Sequence, residues 1–500
     1  MPYINGTDRN QLSFLPMSLE DHVAPESDVR VLDAFVEGIG LEQLGFTRTG
    51  STPVEGAGAP TYSAGALLRV MLYGFYYHLP SSRKLEWLCR TNVEVQWLTG
   101  NLRPTHATIN TFAGENGAAI QGLFRRFVDF LKAAALVDGE VIALDGTKIK
   151  GNAARDMASV ASTTKAISRY EKQIQYFLEV LRDDDHDDHP DGMLQRVSTL
   201  GGVQAIEARI GALKEHRDEA RALQAQVVAS GQKYLSPSDP EARMMRTRQG
   251  KVPGYNYQLA VDGKHGFIVD AALVQDQNDL EQLAPRVASI REQMGDVKYI
   301  VADSGYHNAR HLVQVNEHLA QGHSPSGHGS AAPTVYVYPR RARGTTKNFV
   351  YDAGRDVYRC PDGRDMPLYT RNKSHHGSLY HVYQSISCDG CQIRAACTKP
   401  TTRRTIMRHV NADLLQRVRE RVESQEAKQY LAKRKEIVEH VCGSVKAHIG
   451  PAFRTRGPTR TATEATMASI THNLKRFISV CKMNVDAMFE TMKSLQPMTM

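Results

Sequence analysis

The sequence predicts an α/β fold: one sheet, interrupted by a helical insertion and by a smaller cysteine-containing insert, and preceded by an all-helical N-terminal region. Three observations point to it. Two short apolar runs with β-branched residues, Val141-Ile-Ala-Leu-Asp145-Gly and Tyr299-Ile-Val-Ala-Asp303-Ser-Gly, each read as a buried strand that ends in an acid and turns at glycine. Residues 254–262 and 266–274 alternate as a hairpin around Gly263. Between the first acid and that hairpin, apolar residues recur at heptad spacing, which a strand cannot use.

Composition sets the outer limits. The chain has 500 residues, 41% of them hydrophobic, enough for several domains and a full core. No apolar run approaches the roughly 18 residues of a membrane span, and the N-terminus lacks the basic-then-apolar order of a secretory signal. A cytoplasmic protein with no membrane partner is expected. Lys plus Arg number 62 against 54 for Asp plus Glu, a net charge of +8 that suits a polyanionic partner. Seven cysteines, four of them clustered, predict reduced thiols rather than a disulfide framework.

In chain order, 29–38 is amphipathic, and Leu67, Leu68, Met71, Leu72 and Phe75 mark a helix that stops at Leu79-Pro80. A second helix follows from Ser81 or Ser82, so the pair is either a DNA-reading helix-turn-helix or an ordinary helical hairpin. Leu123, Phe124, Phe127, Val128 and Leu131 form one face of a further helix. After the first acidic strand, Ile167, Tyr170, Ile174, Phe177 and Leu181 precede a second heptad run at Ile206, Ile210 and Leu213. The acidic and histidine-bearing stretch 183–190 between them reads as the solvated tip of an antiparallel helical hairpin. Helical periodicity covers 279–294, and the Asp303 strand and another helix follow.

Thr334–Tyr338 is a predicted strand, and Arg340 and Arg341 then make a basic patch that suits phosphates or a solvated loop equally. Cys360, Cys388, Cys391 and Cys397 could supply four thiolates to Zn²⁺. His375, His376 or His381 could replace one of them, or no metal need bind. Beyond Arg403 the chain is helical and basic. There Arg434, Glu439 and Lys446 lie among Ile437, Val438, Val441 and Val445, as a salt-bridged helix or as a carboxylate held among cations.

Three stretches, Leu144-Asp-Gly-Thr-Lys-Ile-Lys150, Ala302-Asp-Ser-Gly-Tyr306 and Ile437-Val-Glu439 with Lys446, together resemble the acidic motifs of bacterial insertion-sequence DDE transposases. The IS eleven-eighty-two group, which carries a Cys-bearing insert before the Glu, is the most similar. Ser81-Ser-Arg-Lys-Leu85, Ser236-Pro-Ser-Asp-Pro240, Gly254-Tyr-Asn-Tyr-Gln258, the Cys388/Cys391 pair and Asn473-Leu-Lys-Arg476 extend the resemblance over almost the whole chain.

That resemblance implies a ribonuclease-H-like catalytic core in which Asp145, Asp303 and Glu439 hold two Mg²⁺ (or Mn²⁺) ions for phosphodiester cleavage and strand transfer. It also implies phosphate contacts by Lys148, Lys150, Arg340, Arg341, Arg434 and Lys446, double-stranded DNA (element ends and target) as partner, a homodimer in synapsis, and a bacterial, nucleoid-associated setting. The implied organisation is an N-terminal helical, DNA-binding domain (1–135), catalytic core (136–154 and 236–320), helical hairpin (155–235), Cys-bearing insert (321–402) and C-terminal helices with the Glu (403–500).

The chain departs from the broader family signature at two slots, where Lys435 stands for Arg and Ala432 for Tyr. Its two tryptophans, Trp87 and Trp97, both precede the first acid. A nuclease of the same core without strand transfer, and a DNA-binding relic without catalysis, are the alternative functions.

Overall fold

The structure, a computed structural model, describes residues 18–47, 62–153, 157–184, 199–247, 250–321, 333–339, 348–375, 377–398 and 403–481. Arg340, Arg341, His376 and most of the acidic 183–190 tip lie outside them. The central sheet contains β1 (Val141–Lys150), β2 (Arg243–Thr247), β3 (Gly250–Asp262), β4 (Ile268–Val274), β5 (Tyr299–Ala302) and β6 (Thr334–Val337). Its order is β2-β3-β1-β5-β6, with β4 also paired to β3. β1 runs antiparallel to β3 and parallel to β5, and β5 runs parallel to β6.

One expectation is corrected by this pairing. Asp145 does not end its strand: β1 continues to Lys150 because β3 pairs with it as far as Lys150↔Gly254. Only the parallel partner stops, at Leu144↔Ala302. Asp145 therefore stands where one neighbour leaves and the other remains.

The helical insertion is two long antiparallel helices, Val160–Asp184 and Val203–Ala229. Ile174, Ile206 and Ile210 form their small core, and Arg221 to Glu171 (2.7 Å) and Gln224 to Thr164 (2.7 Å) tie their outer faces. The cysteine-bearing insert contains more structure than its sequence suggests. It is a five-stranded antiparallel sheet ordered β11-β10-β9-β8-β7, from β7 (Val350–Asp352) through β8 (Val357–Arg359), β9 (Asp365–His375) and β10 (Ser378–Gln384) to β11 (Thr405–His409). Most of β9 is exposed and polar, so no hydrophobic alternation announces it.

The N-terminal helices share one core with the sheet, reaching from Val29 to Phe477. The buried Pro458–Cys481 helix is the link. Asn473 on it donates to Ile268 O (2.9 Å) and accepts from Ile268 N (2.8 Å), standing in for a strand at the edge of β4. Arg476 donates to His265 O, and Tyr257 on β3 meets Ser469 (2.8 Å) and Ala465 O (3.0 Å). The Pro458–Cys481 helix is thus fastened to both strands of the β3–β4 hairpin, through Tyr257 on one and Ile268 on the other. Among the described residues, no helix is long and apolar enough to cross a membrane.

Two buried histidines sit in this seam. His472 bridges Ser444 Oγ (2.9 Å) and Gly266 O (3.0 Å), and His448 bonds Phe75 O (2.9 Å) and stacks on His78 with ring centroids 4.5 Å apart. Burial, the largest cause, pushes each down to about 4 from 6.5. Both rings are then neutral in the fold, whereas the unfolded chain protonates them near 6.5. Their contribution to stability is complete above that pH and is lost as pH falls toward 4, by up to about 3 kcal/mol each. Urea midpoints are expected to drop between pH 7.5 and pH 5, and His472→Gln to flatten that drop; equal slopes for variant and wild type contradict this account.

Candidate active site

Parallel pairing is what assembles the acids. Because Leu144 is opposite Ala302, the next positions are Asp145 and Asp303, side by side on neighbouring strands of the sheet. Asp303 begins a turn, Ser304–Tyr306, by accepting from Gly305 N at 2.8 Å; Asp145 accepts from Gly146 N at 2.9 Å. Each motif glycine therefore supplies its acid with a backbone donor.

A third carboxylate is present that the sequence reading did not select. Asp279, read there as the start of a helix, lies instead in the turn before the Leu283–Met294 helix. Its carboxylate accepts from Lys148 Nζ (2.8 and 2.9 Å), Asn256 Nδ2 (2.8 Å) and Gln258 Nε2 (2.7 Å). Gln258 in turn accepts from the hydroxyl of Tyr306, which is fully buried. The only hint in the sequence was that Asn256 and Gln258 are amides on one face of a strand that is otherwise core, and so require a polar partner.

The Gln425–Ile449 helix packs across β1, β3 and β5. Its buried stripe runs through Leu431, Val438, Val441 and Val445 and includes Arg434, only 6% exposed. Arg434 Nη1 approaches Asp145 Oδ2 at 3.4 Å, outside hydrogen-bond geometry, and neither its Nε nor its Nη1 has a hydrogen-bond partner. Burial pushes the Asp145 carboxyl up. Arg434 opposes that shift, Asp303 adds to it, the Gly146 N–H opposes it and Asp279 adds to it again; the net direction is upward.

Glu439 is exposed on the flank of the same helix, one turn before Cys442. The Cys442 thiol is pushed up to about 12, first by burial and then by Asp145, with Glu439 adding to the rise and Lys446 and Arg434 opposing it, so this thiol lies within the field of both acids. Lys446 is exposed on that flank, and Lys150 is half-buried near the end of β1. Among the described residues, no three His, Cys, Asp or Glu side chains converge as a ready metal site. The edge donors are nonetheless all carboxylates, a set that suits a hard divalent cation.

In the insert, Cys360, Cys388, Cys391 and Cys397 line one cavity of about 20 Å³, room for one small ion or water. Burial would raise the Cys388 thiol, but a hydrogen bond to Ser385 Oγ (3.5 Å), a contact with the Arg404 backbone and the charges of Arg394 and Arg364 bring it below the usual thiol range. His375 and His381 do not line this cavity.

Comparisons with known proteins bear on both ends of the chain. A family model described as "Transposase DDE domain" matches residues 359–478, and one described as "Transposase domain (DUF772)" matches residues 17–115. Transposase is the function these two matches support. The first includes Glu439 and all four insert cysteines; Asp145 and Asp303 lie between the two matched regions. No curated protein matches. Among solved structures, a piggyBac transposase synaptic complex with hairpin DNA is similar at 8% identity, with 94% of this chain and 79% of that chain covered. Its TM-score is 0.29, too low to carry weight.

The buried Arg434 charge has a direct consequence. Arg434→Met leaves Asp145 facing Asp303 and Asp279 without its nearest cation, and is expected to cost roughly 3 kcal/mol in urea unfolding. Arg434→Met combined with Asp145→Asn should recover most of the loss. An Arg434→Met protein as stable as wild type contradicts the pairing.

Proposed function

We propose that this protein is a metal-dependent DNA transposase of the IS eleven-eighty-two type, which binds the inverted repeats at its element's ends, cleaves there and joins 3′ ends to target DNA. The observation that carries the reading is the parallel β1–β5 register, which puts Asp145 and Asp303 next to each other where β5 stops and β1 continues. The strand order β4-β3-β1-β5-β6, antiparallel on one side of β1 and parallel on the other, supports a ribonuclease-H-like core.

Asp145 and Asp303 would hold Mg²⁺ or Mn²⁺, with Glu439 completing the set from the helix flank. Bound there, the metal would supply the charge that activates the attacking oxygen and steadies the leaving one. The chain's own groups do the positioning. Arg434 keeps a positive charge against Asp145 and so favours its ionised form. Lys150 and Lys446 take phosphate oxygens, fixing the strand without reading its sequence. Arg340 and Arg341 are proposed for the same task.

The test incubates purified protein with labelled end duplex and a target plasmid, with Mg²⁺, Mn²⁺ or chelator. Joined product is expected only with metal, and Asp145→Ala and Asp303→Ala should each reduce it at least 10³-fold, on the order of losses seen when a unit of catalytic groups is broken. Full activity of either variant refutes the assignment. Nicked product that never joins indicates a nuclease, and tight end binding without cleavage indicates a binding protein. Light scattering of the end-DNA complex should read a dimer.

We also propose Zn²⁺ as a structural ion of the insert, held by Cys360, Cys388, Cys391 and Cys397. Elemental analysis of protein purified without chelator should find one zinc per chain, lost in Cys388→Ser; absence of zinc from the wild type rejects the site.

A further inference from the structure

Asp279 belongs to none of the sequence motifs, yet its surroundings are more completely built than those of Asp145 or Asp303. On β1 and β3 the register pairs Lys148 with Asn256 and Gly146 with Gln258, four positions forming a square on one face of the sheet. Three of the four send a donor to the Asp279 carboxylate. The fourth is glycine, and it is glycine for space. A Cβ on Gly146 would stand 2.1 Å from Asp279 Oδ1 and 2.6 Å from Gln258 Nε2.

The other side of the carboxylate faces the second acid's turn. A Cβ on Gly305 would lie 3.4 Å from Asp279 Oδ2 and 2.8 Å from Asp303 Oδ1. Asp279 is therefore wedged between the two glycines that follow Asp145 and Asp303. Asn256 makes the same point from beneath: fully buried, it gives its amide N–H to Asp279 while its own Oδ1 has no hydrogen-bond partner.

A brace between a loop and a sheet does not need charge, since a neutral acceptor would satisfy the two amides. The Lys148–Asp279 pair is largely removed from water, with side chains 16% and 15% exposed, and carries a desolvation cost that an apolar pair would avoid. What charge adds here is a fixed ammonium. Lysine has three N–H donors, and the contacts to Asp279 leave at least one for another acceptor.

We propose that Asp279 is a positioning residue that fixes the Lys148 ammonium next to the Asp303 turn, where its remaining donor meets a phosphate oxygen of the DNA strand being cut. Gly146 is the space that this arrangement requires. The inference rests on the transposase reading for its substrate, and on the Asp279 contacts alone for the hold on Lys148.

Two measurements test these separately, both on the full-length chain. In the first, brief acylation followed by mass spectrometry reads the reactivity of each lysine without DNA. Asp279→Asn presents an N–H₂ or a single oxygen to the ammonium, so Lys148 labelling should rise several-fold while other lysines stay unchanged. Unchanged Lys148 labelling overturns the inference.

In the second, single-turnover cleavage of end duplex with Mg²⁺ compares wild type, Asp279→Asn, Lys148→Met and the double variant. Asp279→Asn should cleave about 10²-fold slower, the loss typical of a group displaced by about 1 Å, with end-DNA affinity kept within about threefold. The double variant should be no slower than Lys148→Met, because Asp279 acts through that lysine. Losses that multiply, or a wild-type rate for Asp279→Asn, overturn the inference. If Asp279→Asn fails to fold, Lys148→Met decides: a wild-type rate in that variant also overturns it. A wild-type protein that cleaves with no metal instead refutes the transposase reading, and the labelling result still decides whether Asp279 holds Lys148.

Discussion

The pairing of β1 with β5 is the interaction on which the rest depends. A parallel ladder sets register without a hairpin, so the alignment of Leu144 with Ala302 has to come from packing on both faces of the strands. The buried side chains of Ile142, Leu144, Ile300 and Val301 provide it. A slip of one residue would turn these chains toward the wrong face and separate the two acids at the same time. Stability and the candidate chemistry therefore rest on one alignment.

Around that alignment the protein surrounds three carboxylates with internal cations. Arg434 enters from the helix side and Lys148 from within the sheet, each set against a different acid. Burial alone would favour protonated carboxyls at such an edge. At Asp145 the Arg434 guanidinium opposes that tendency, although burial still sets the net direction upward. The Gln425–Ile449 helix thus does two tasks with one buried stripe: its aliphatic residues seal the sheet, and its one buried arginine charges the edge.

The C-terminal helix has a comparable double role. Pro458–Cys481 is buried along much of its length although it is rich in Thr, Ser, His and Asn. Its polar groups are matched to the β3–β4 hairpin and to the loops of the seam, so its interior position follows from hydrogen bonds as much as from apolar area. The N-terminal helices dock on the same element, which makes them part of the main core rather than an appended module.

The sequence alone determined β1, β5 and β6, the long helical hairpin, the alternating Gly254–Val274 pair and the nomination of Asp145 and Asp303, because hydrophobic periodicity and an acid with a glycine close behind it are local properties, whereas Glu439 was singled out only by the family resemblance. It could not reveal Asp279, since nothing near that residue in the chain shows that Lys148, Asn256 and Gln258 converge on it. It also missed the five-stranded insert, whose longest strand, Asp365–His375, is mostly polar and exposed, and it misplaced the end of β1, because where a strand ends depends on which partner leaves first. Tertiary structure decided that Arg434 turns inward to Asp145 while Glu439 stays on the flank, because on one helix the choice between facing a sheet and facing solvent is made by what the sheet presents.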